Sequence, residues 1–100
     1  MKESAIQERL RKKLWENGWT TDKLHGSRFK SGLPDLVVHH KKHGTRWIEM
    51  KKPGGRLRDT QRALFKRWAE AGVAIWVATS VDDYDRIVEN KNPNWWMYIK

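Results

Sequence analysis

Ile6, Leu10 and Leu14 recur at i, i+4, i+8 in "ESAIQERLRKKLWE", an apolar stripe that predicts a helix over 3–16, closed by Asn17-Gly18. A short strand over 19–24 and a loop through "HGSRFKSG" follow. "LPDLVVHH" and "TRWIEMKK" read as two strands joined by a turn at "KKHG". After the break at "PGG", residues 59–71 form a second helix stopped by Gly72, with Leu64, Phe65 and Trp68 on one face. "VAIWVATS" is an unbroken apolar run rich in β-branched residues, which predicts a buried central strand. "SVDDYDRIVEN" opens a third helix, and "NWWMYIK" reads as a last strand at the sheet edge. Leaving the short 19–24 stretch aside, the order is α, β, β, α, β, α, β, an α/β sandwich with a mixed sheet.

Some polar residues break this pattern. Glu3 stands seven residues before Leu10 and eleven before Leu14, which places it on the apolar face. A carboxylate there is costly unless it is paired, binds a metal, or escapes to water at a frayed helix end. Glu8, about 140° away, belongs to the solvated face. Gln61 heads the stripe of the second helix in the same way. A buried amide must be hydrogen-bonded, whether to the backbone at the helix end, a metal-bound water or a phosphate oxygen.

Glu49 and Lys51 stand two apart in the second clear strand and so share a face. Asp35 begins its hairpin partner, and adjacent antiparallel strands bring residues to within about 5 Å. Two readings stay open on spacing alone. One is a surface salt bridge; the other is a pair of carboxylates converging on a divalent cation, with Lys51 beside them.

Composition narrows the chemistry. One hundred residues make one domain, 1–100, and the absence of cysteine confines any metal to oxygen or imidazole ligands. No apolar run approaches the roughly 18 residues of a membrane span, and the N-terminus lacks a signal-peptide core. The expectation is a cytoplasmic protein with no membrane partner. Residues 1–67 carry 18 basic and 7 acidic residues, whereas 68–100 carry 3 and 5. One basic surface facing a polyanion, most simply nucleic acid, follows from that asymmetry.

Taken together, Glu3, "GLPDL", "WIEMKKPGGRLRDTQ" and Gln61 resemble the VRR-NUC family, a branch of the PD-(D/E)xK nucleases, over about Glu3 to Ser80. The resemblance implies a restriction-endonuclease-like α-β-β-β-α-β core, its mixed central sheet flanked by helices. It also implies that Glu3, Asp35, Glu49, Lys51 and Gln61 form the active site. Asp35, Glu49 and the backbone carbonyl of Met50 would hold Mg²⁺ or Mn²⁺, and Glu3 would reach in through water or a second ion. Two departures stand out: Met50 replaces a more usual β-branched residue, and "RDT" replaces a Ser-Pro helix entry, so that Asp59 would cap the second helix.

Other residues carry less. His39, His40 and His43 suggest zinc, but adjacent histidines on a strand diverge and a fourth ligand is missing, so a basic turn touching phosphates is the better reading. His39 shares the parity of Asp35. Asp82, Asp83 and Asp85 follow Ser80 and read as a helix start. Trp68 and Trp76 fall on core positions, and Trp47 shares the face of Glu49. Trp95 and Trp96 are consecutive, so one is exposed, which favours a subunit interface over base stacking.

The reading is a Mg²⁺-dependent endonuclease acting on DNA, with Arg28, Lys30, Arg56 and Arg58 as phosphate contacts. Family resemblance adds branched DNA such as Holliday junctions as substrate, a homodimer, and a phage-encoded enzyme working in the host cytoplasm. Its rivals are a non-catalytic basic nucleic-acid-binding module that retains the fold, and an RNA-binding protein of ribosomal type. The first would be marked by the loss of a ligand, and none is missing; the second leaves Glu3 and Gln61 on apolar faces unexplained.

Overall fold

A computed structural model describes residues 2–24, 32–89 and 94–98. The first helix, α1 (Glu3–Glu16), buries Ile6, Leu10 and Leu14 as its periodicity requires. It ends in a Schellman turn: Gly18, at φ +91°, donates to Trp15 O at 3.1 Å, and Trp19 donates to Leu14 O at 3.0 Å. Trp19 thereby folds back into the core, where it is 1% exposed.

Strands β1 (Thr20–Lys23), β2 (Leu36–His40), β3 (Gly44–Met50) and β4 (Ile75–Ala78) form one sheet in the order β1-β2-β3-β4. The first two pairings are antiparallel, and β3 pairs parallel to β4, so the sheet is mixed. Parallel neighbours need a crossover. Helix α2 (Asp59–Glu70) supplies it and packs Leu64 and Phe65 on Leu57, Ile75 and Val77. On the opposite face, α1 and α3 (Tyr84–Glu89) cover Leu36, Val38, Ile48, Met50, Trp76 and Ala78, with Ile87 from α3. The alternation along β3 therefore decides everything near the site: Ile48 and Met50 face α1, and Glu49 faces α2.

Three local expectations need correction. All four residues of β4 are buried, yet among the described residues it is an outer strand of the sheet rather than a central one. Its free edge is covered by a side chain: Asn94 Oδ1 accepts from Val77 N at 2.6 Å, and Asn94 Nδ2 donates to Val77 O at 3.0 Å. An amide satisfies both backbone groups as a neighbouring strand would.

The second correction concerns "NWWMYIK". Its described part, Trp95–Tyr98, is a 3-10 turn, not a strand. It anchors by donation from Leu57 N to Tyr98 O at 2.7 Å and buries Trp95 and Tyr98 partly against the α2 side of the core.

Third, Arg58, not Asp59, is the N-cap of α2. Asp59 is exposed and pairs with Arg62 on the helix surface. At the start of the third helical segment the aspartates behave as a helix start. Ser80 Oγ accepts from Asp82 N at 3.1 Å, and Asp83 Oδ2 accepts from Thr79 N at 2.9 Å. No helix among the described residues is long and apolar enough to cross a membrane.

Candidate active site

The register Leu36↔Ile48 ends the β2–β3 ladder one residue short of Asp35 and Glu49. There the side chain takes over from the backbone: Met50 N donates to Asp35 Oδ2 at 2.8 Å. Asp35 is thus tied to the end of β3, while its own carbonyl accepts from Leu24 N at 2.8 Å. Pro34 before it favours the extended backbone this requires.

Glu49 is 3% exposed, with Lys51 Nζ 3.4 Å from its Oε2. Gln61 Nε2 donates to the same oxygen at 2.8 Å. The other oxygen, Oε1, is buried without a hydrogen-bond partner. Burial, and then the nearby charge of Asp35, push the Glu49 carboxyl up to about 7, against the pull of Lys51 and Gln61. The pair Glu49–Lys51 is therefore a salt bridge in geometry, but a buried one that leaves half of the carboxylate unsatisfied. Trp19 Nε1 and Trp76 Nε1 are also buried without a partner, so what sets Glu49 Oε1 apart is that it belongs to an ionisable group with Asp35 nearby.

Gln61 makes both of the contacts open to an amide at a helix start. Its Oε1 accepts from Arg58 N at 3.0 Å, which caps α2, while its amide nitrogen reaches Glu49. Burial of Gln61, at 1% exposure, is thus satisfied at both ends.

Glu3, the first residue of α1, is half-buried. It lines a cleft of about 310 Å³ with Ser4, Gln7, Lys23, Asp35 and Met50. Among the described residues no three acidic or histidine side chains group closely enough to hold a metal ion; the fold places Glu3 and Asp35 on one cleft and bonds Glu49 to Lys51 and Gln61 beside it. It does so at one end of the sheet, where Lys51 N continues the β3–β4 pairing to Ala78 O at 3.0 Å.

The basic candidates divide. Arg56 and Arg58 are exposed in the segment leading into α2. Arg28 and Lys30 lie outside the described residues. His39 shares strand parity with Asp35 but stands toward the opposite end of β2, bonded to Thr45 Oγ1 at 2.8 Å, and so is remote from the cleft. His40 and His43, with ring centroids 4.6 Å apart, pack against Trp19. Trp47 packs edge-on against Trp68 at 4.9 Å, in the α2 half of the core.

Sequence reasoning missed Ser4, Gln7 and Lys23. Gln7 follows Glu3 by one helical turn, a spacing that marks a shared face. Lys23 carried no such mark, because only the β1–β2 register brings it beside the site.

The model of the VRR-NUC domain family matches residues 1–82, which include every proposed carboxylate, Lys51 and Gln61. A solved structure described as a VRR-NUC domain superposes with a TM-score of 0.77 at 22% identity, covering 90% of this chain and 97% of its own. Hjc, a Holliday junction resolvase from the archaeal hyperthermophile Archaeoglobus fulgidus, superposes with a TM-score of 0.56 at 20% identity, covering 75% of this chain and 65% of its own. None of the curated proteins matches the chain significantly.

Proposed function

The chain belongs to the VRR-NUC domain family, and from that premise we propose that it is a metal-dependent DNA endonuclease, structure-specific for branched DNA such as Holliday junctions. The observation that carries the reading is the placement of Glu3 and Asp35 on one cleft, beside a Glu49 whose buried Oε1 lacks a partner.

Those residues fit a hard divalent cation. An orphaned carboxylate oxygen next to a second carboxylate is the donor set that Mg²⁺ or Mn²⁺ takes. Asp35, Glu49 and the Met50 backbone carbonyl would hold it, with Glu3 acting through water or at a second ion. When bound, such an ion supplies Lewis-acid stabilisation of phosphate charge and lowers the pKa of water. Asp35 is held in place by Met50 N, and Glu49 by Gln61 and Lys51. Lys51, whose side chain is 13% exposed, keeps one positive charge at the reacting phosphate and orients the attacking water. Arg56 and Arg58 add phosphate contacts at the entry to α2.

A homodimer agrees with Trp96 and Met97, about 60% exposed on the less basic part of the chain. Two-fold symmetry would offer one site to each of two strands. Likeness to a resolvase, together with the basic charge, supports branched DNA as the substrate.

The test is cleavage of a labelled four-way junction, with duplex and flap controls, in Mg²⁺ and in chelator, for wild type and Asp35→Ala. Paired junction cuts that vanish with chelator and with the variant are the expected result. Cuts confined to the flap would remove the resolvase part. Tight, salt-dependent binding without cleavage in Mg²⁺ or Mn²⁺ would leave the non-catalytic module in its place.

A further inference from the structure

Of the described residues lining the carboxylate cleft, Lys23 alone is cationic. It could have paired with Glu3 or Asp35 and is found with neither. Its Nζ lies 3.0 Å from Glu8 Oε1, an oxygen that also accepts from Arg11 Nη1 at 3.2 Å. Arg11 in turn donates to Thr21 Oγ1 at 3.1 Å. Glu8 does not line the cleft, so this network holds the lysine from outside and leaves the cleft acids to other partners.

The position of Lys23 is fixed by backbone as well. It is the last residue of β1, paired with Leu36, and the next residue donates to the carbonyl of Asp35. An ammonium has three donors, of which Glu8 uses one, and the side chain is 46% exposed. Ser4 and Gln7, one turn of α1, add a hydroxyl and an amide to the same cleft. The lining therefore sorts into two kinds: acceptors at Glu3 and Asp35, and neutral or cationic donors at Ser4, Gln7 and Lys23. Acceptors take a cation; donors take phosphate oxygens.

We propose that Lys23, with Ser4 and Gln7, forms a subsite for the phosphodiester next to the one that is cut. The inference rests on the nuclease reading and adds to it a substrate-binding residue on β1. Lys23 touches the DNA backbone and not the reacting atoms, so its contribution is to affinity and to alignment of the strand, independent of base sequence.

The test is binding, not cleavage: anisotropy of a labelled four-way junction and of a matched duplex, in chelator, over a range of KCl concentrations. Wild type, Lys23→Gln and Lys23→Arg are compared, each with its urea unfolding midpoint. Lys23→Gln should weaken both ligands alike and make the slope of log K against log salt shallower by about 1. Lys23→Arg should restore the slope. Lys23→Met, which keeps the stem, reads the same loss if Lys23→Gln fails to fold. An unchanged slope in a folded variant overturns the subsite and reduces Lys23 to a partner of Glu8. Wild type that neither binds nor cuts DNA overturns the nuclease reading instead.

Discussion

Gln61 Nε2 donates to Glu49 Oε2 at 2.8 Å, so the start of α2 is bonded directly to the carboxylate of β3. The same side chain caps its helix through Arg58 N, and one residue thus serves fold and site together. Replacing it with leucine removes the cap and leaves Glu49 with Lys51 alone. Losing a cap costs about 1 kcal/mol, and losing the hydrogen bond to a Glu49 carboxyl that burial keeps largely protonated below a pH of about 7 costs about 1 kcal/mol more. Gln61→Leu should therefore lose about 2 kcal/mol by urea unfolding and should cut DNA more slowly. A loss of only a few tenths would mean that the amide links neither partner in solution.

Glu49 predicts a pH dependence with a definite sign. Its carboxyl is raised from 4.5 to about 7 by burial first and Asp35 second. Between those values the folded chain keeps a proton that the unfolded chain has released. The stabilisation is fully present below about 4.5 and is lost as pH rises through about 7. A shift of this size amounts to about 3 kcal/mol. In chelator, wild type should lose stability over that window, and Glu49→Gln should lose much less. Parallel curves would dispose of the argument. At a pH above the window, Mg²⁺ at a hundredfold excess over its Kd should return about 2.7 kcal/mol to wild type but not to Glu49→Gln.

Gly32 sits against the helix that carries Gln61. Its φ is +89°, and an added Cβ would stand 2.7 Å from Thr60 O, a backbone atom. A side chain there meets both left-handed strain and overlap, together about 3 kcal/mol. Gly32→Ala should lower the unfolding midpoint accordingly. Hydrogen exchange should show the first turn of α2 loosened more than β1, whereas uniform loosening would contradict a local clash.

Arg46 is 7% exposed, and among the described residues no carboxylate pairs with it. Its guanidinium lies 6.0 Å from the Trp19 ring and 5.6 Å from the Trp76 ring, and donates to Ile87 O and Thr45 O. Burial holds its pKa below the usual value. Two desolvated ring contacts and two hydrogen bonds suggest that Arg46→Ala costs about 3 kcal/mol by urea unfolding. Arg46→Lys should recover little of this, because a point charge cannot spread over two rings and two carbonyls. Full recovery by lysine would show that charge alone matters there.

Much of this molecule is legible in local pattern. The stripe of Ile6, Leu10 and Leu14, the "KKHG" hairpin and the Gly72 stop each report a preference that a few neighbouring residues express by themselves. Glu3 and Gln61 stood out for a related reason: each violates the apolar stripe of its helix, and Gln61 meets that cost with bonds to Arg58 N and Glu49.

What covers the edge of β4 was not readable, and neither was the turn formed by Trp95–Tyr98. An apolar run marks a strand as buried without saying whether a strand or an asparagine side chain satisfies its backbone. The same limit applies to the partners at the site. Periodicity told which face Gln61 occupies, but its choice of Glu49 depends on how α2 docks across β3. Lys23 enters the cleft only through the β1–β2 register, and Arg46 is buried only because two tryptophans distant in sequence meet over it. The sequence by itself determined the elements, their buried faces and the set of chemical groups. Tertiary structure decided which groups meet, because hydrogen bonds and ion pairs act over a few ångströms between residues that the chain alone leaves far apart.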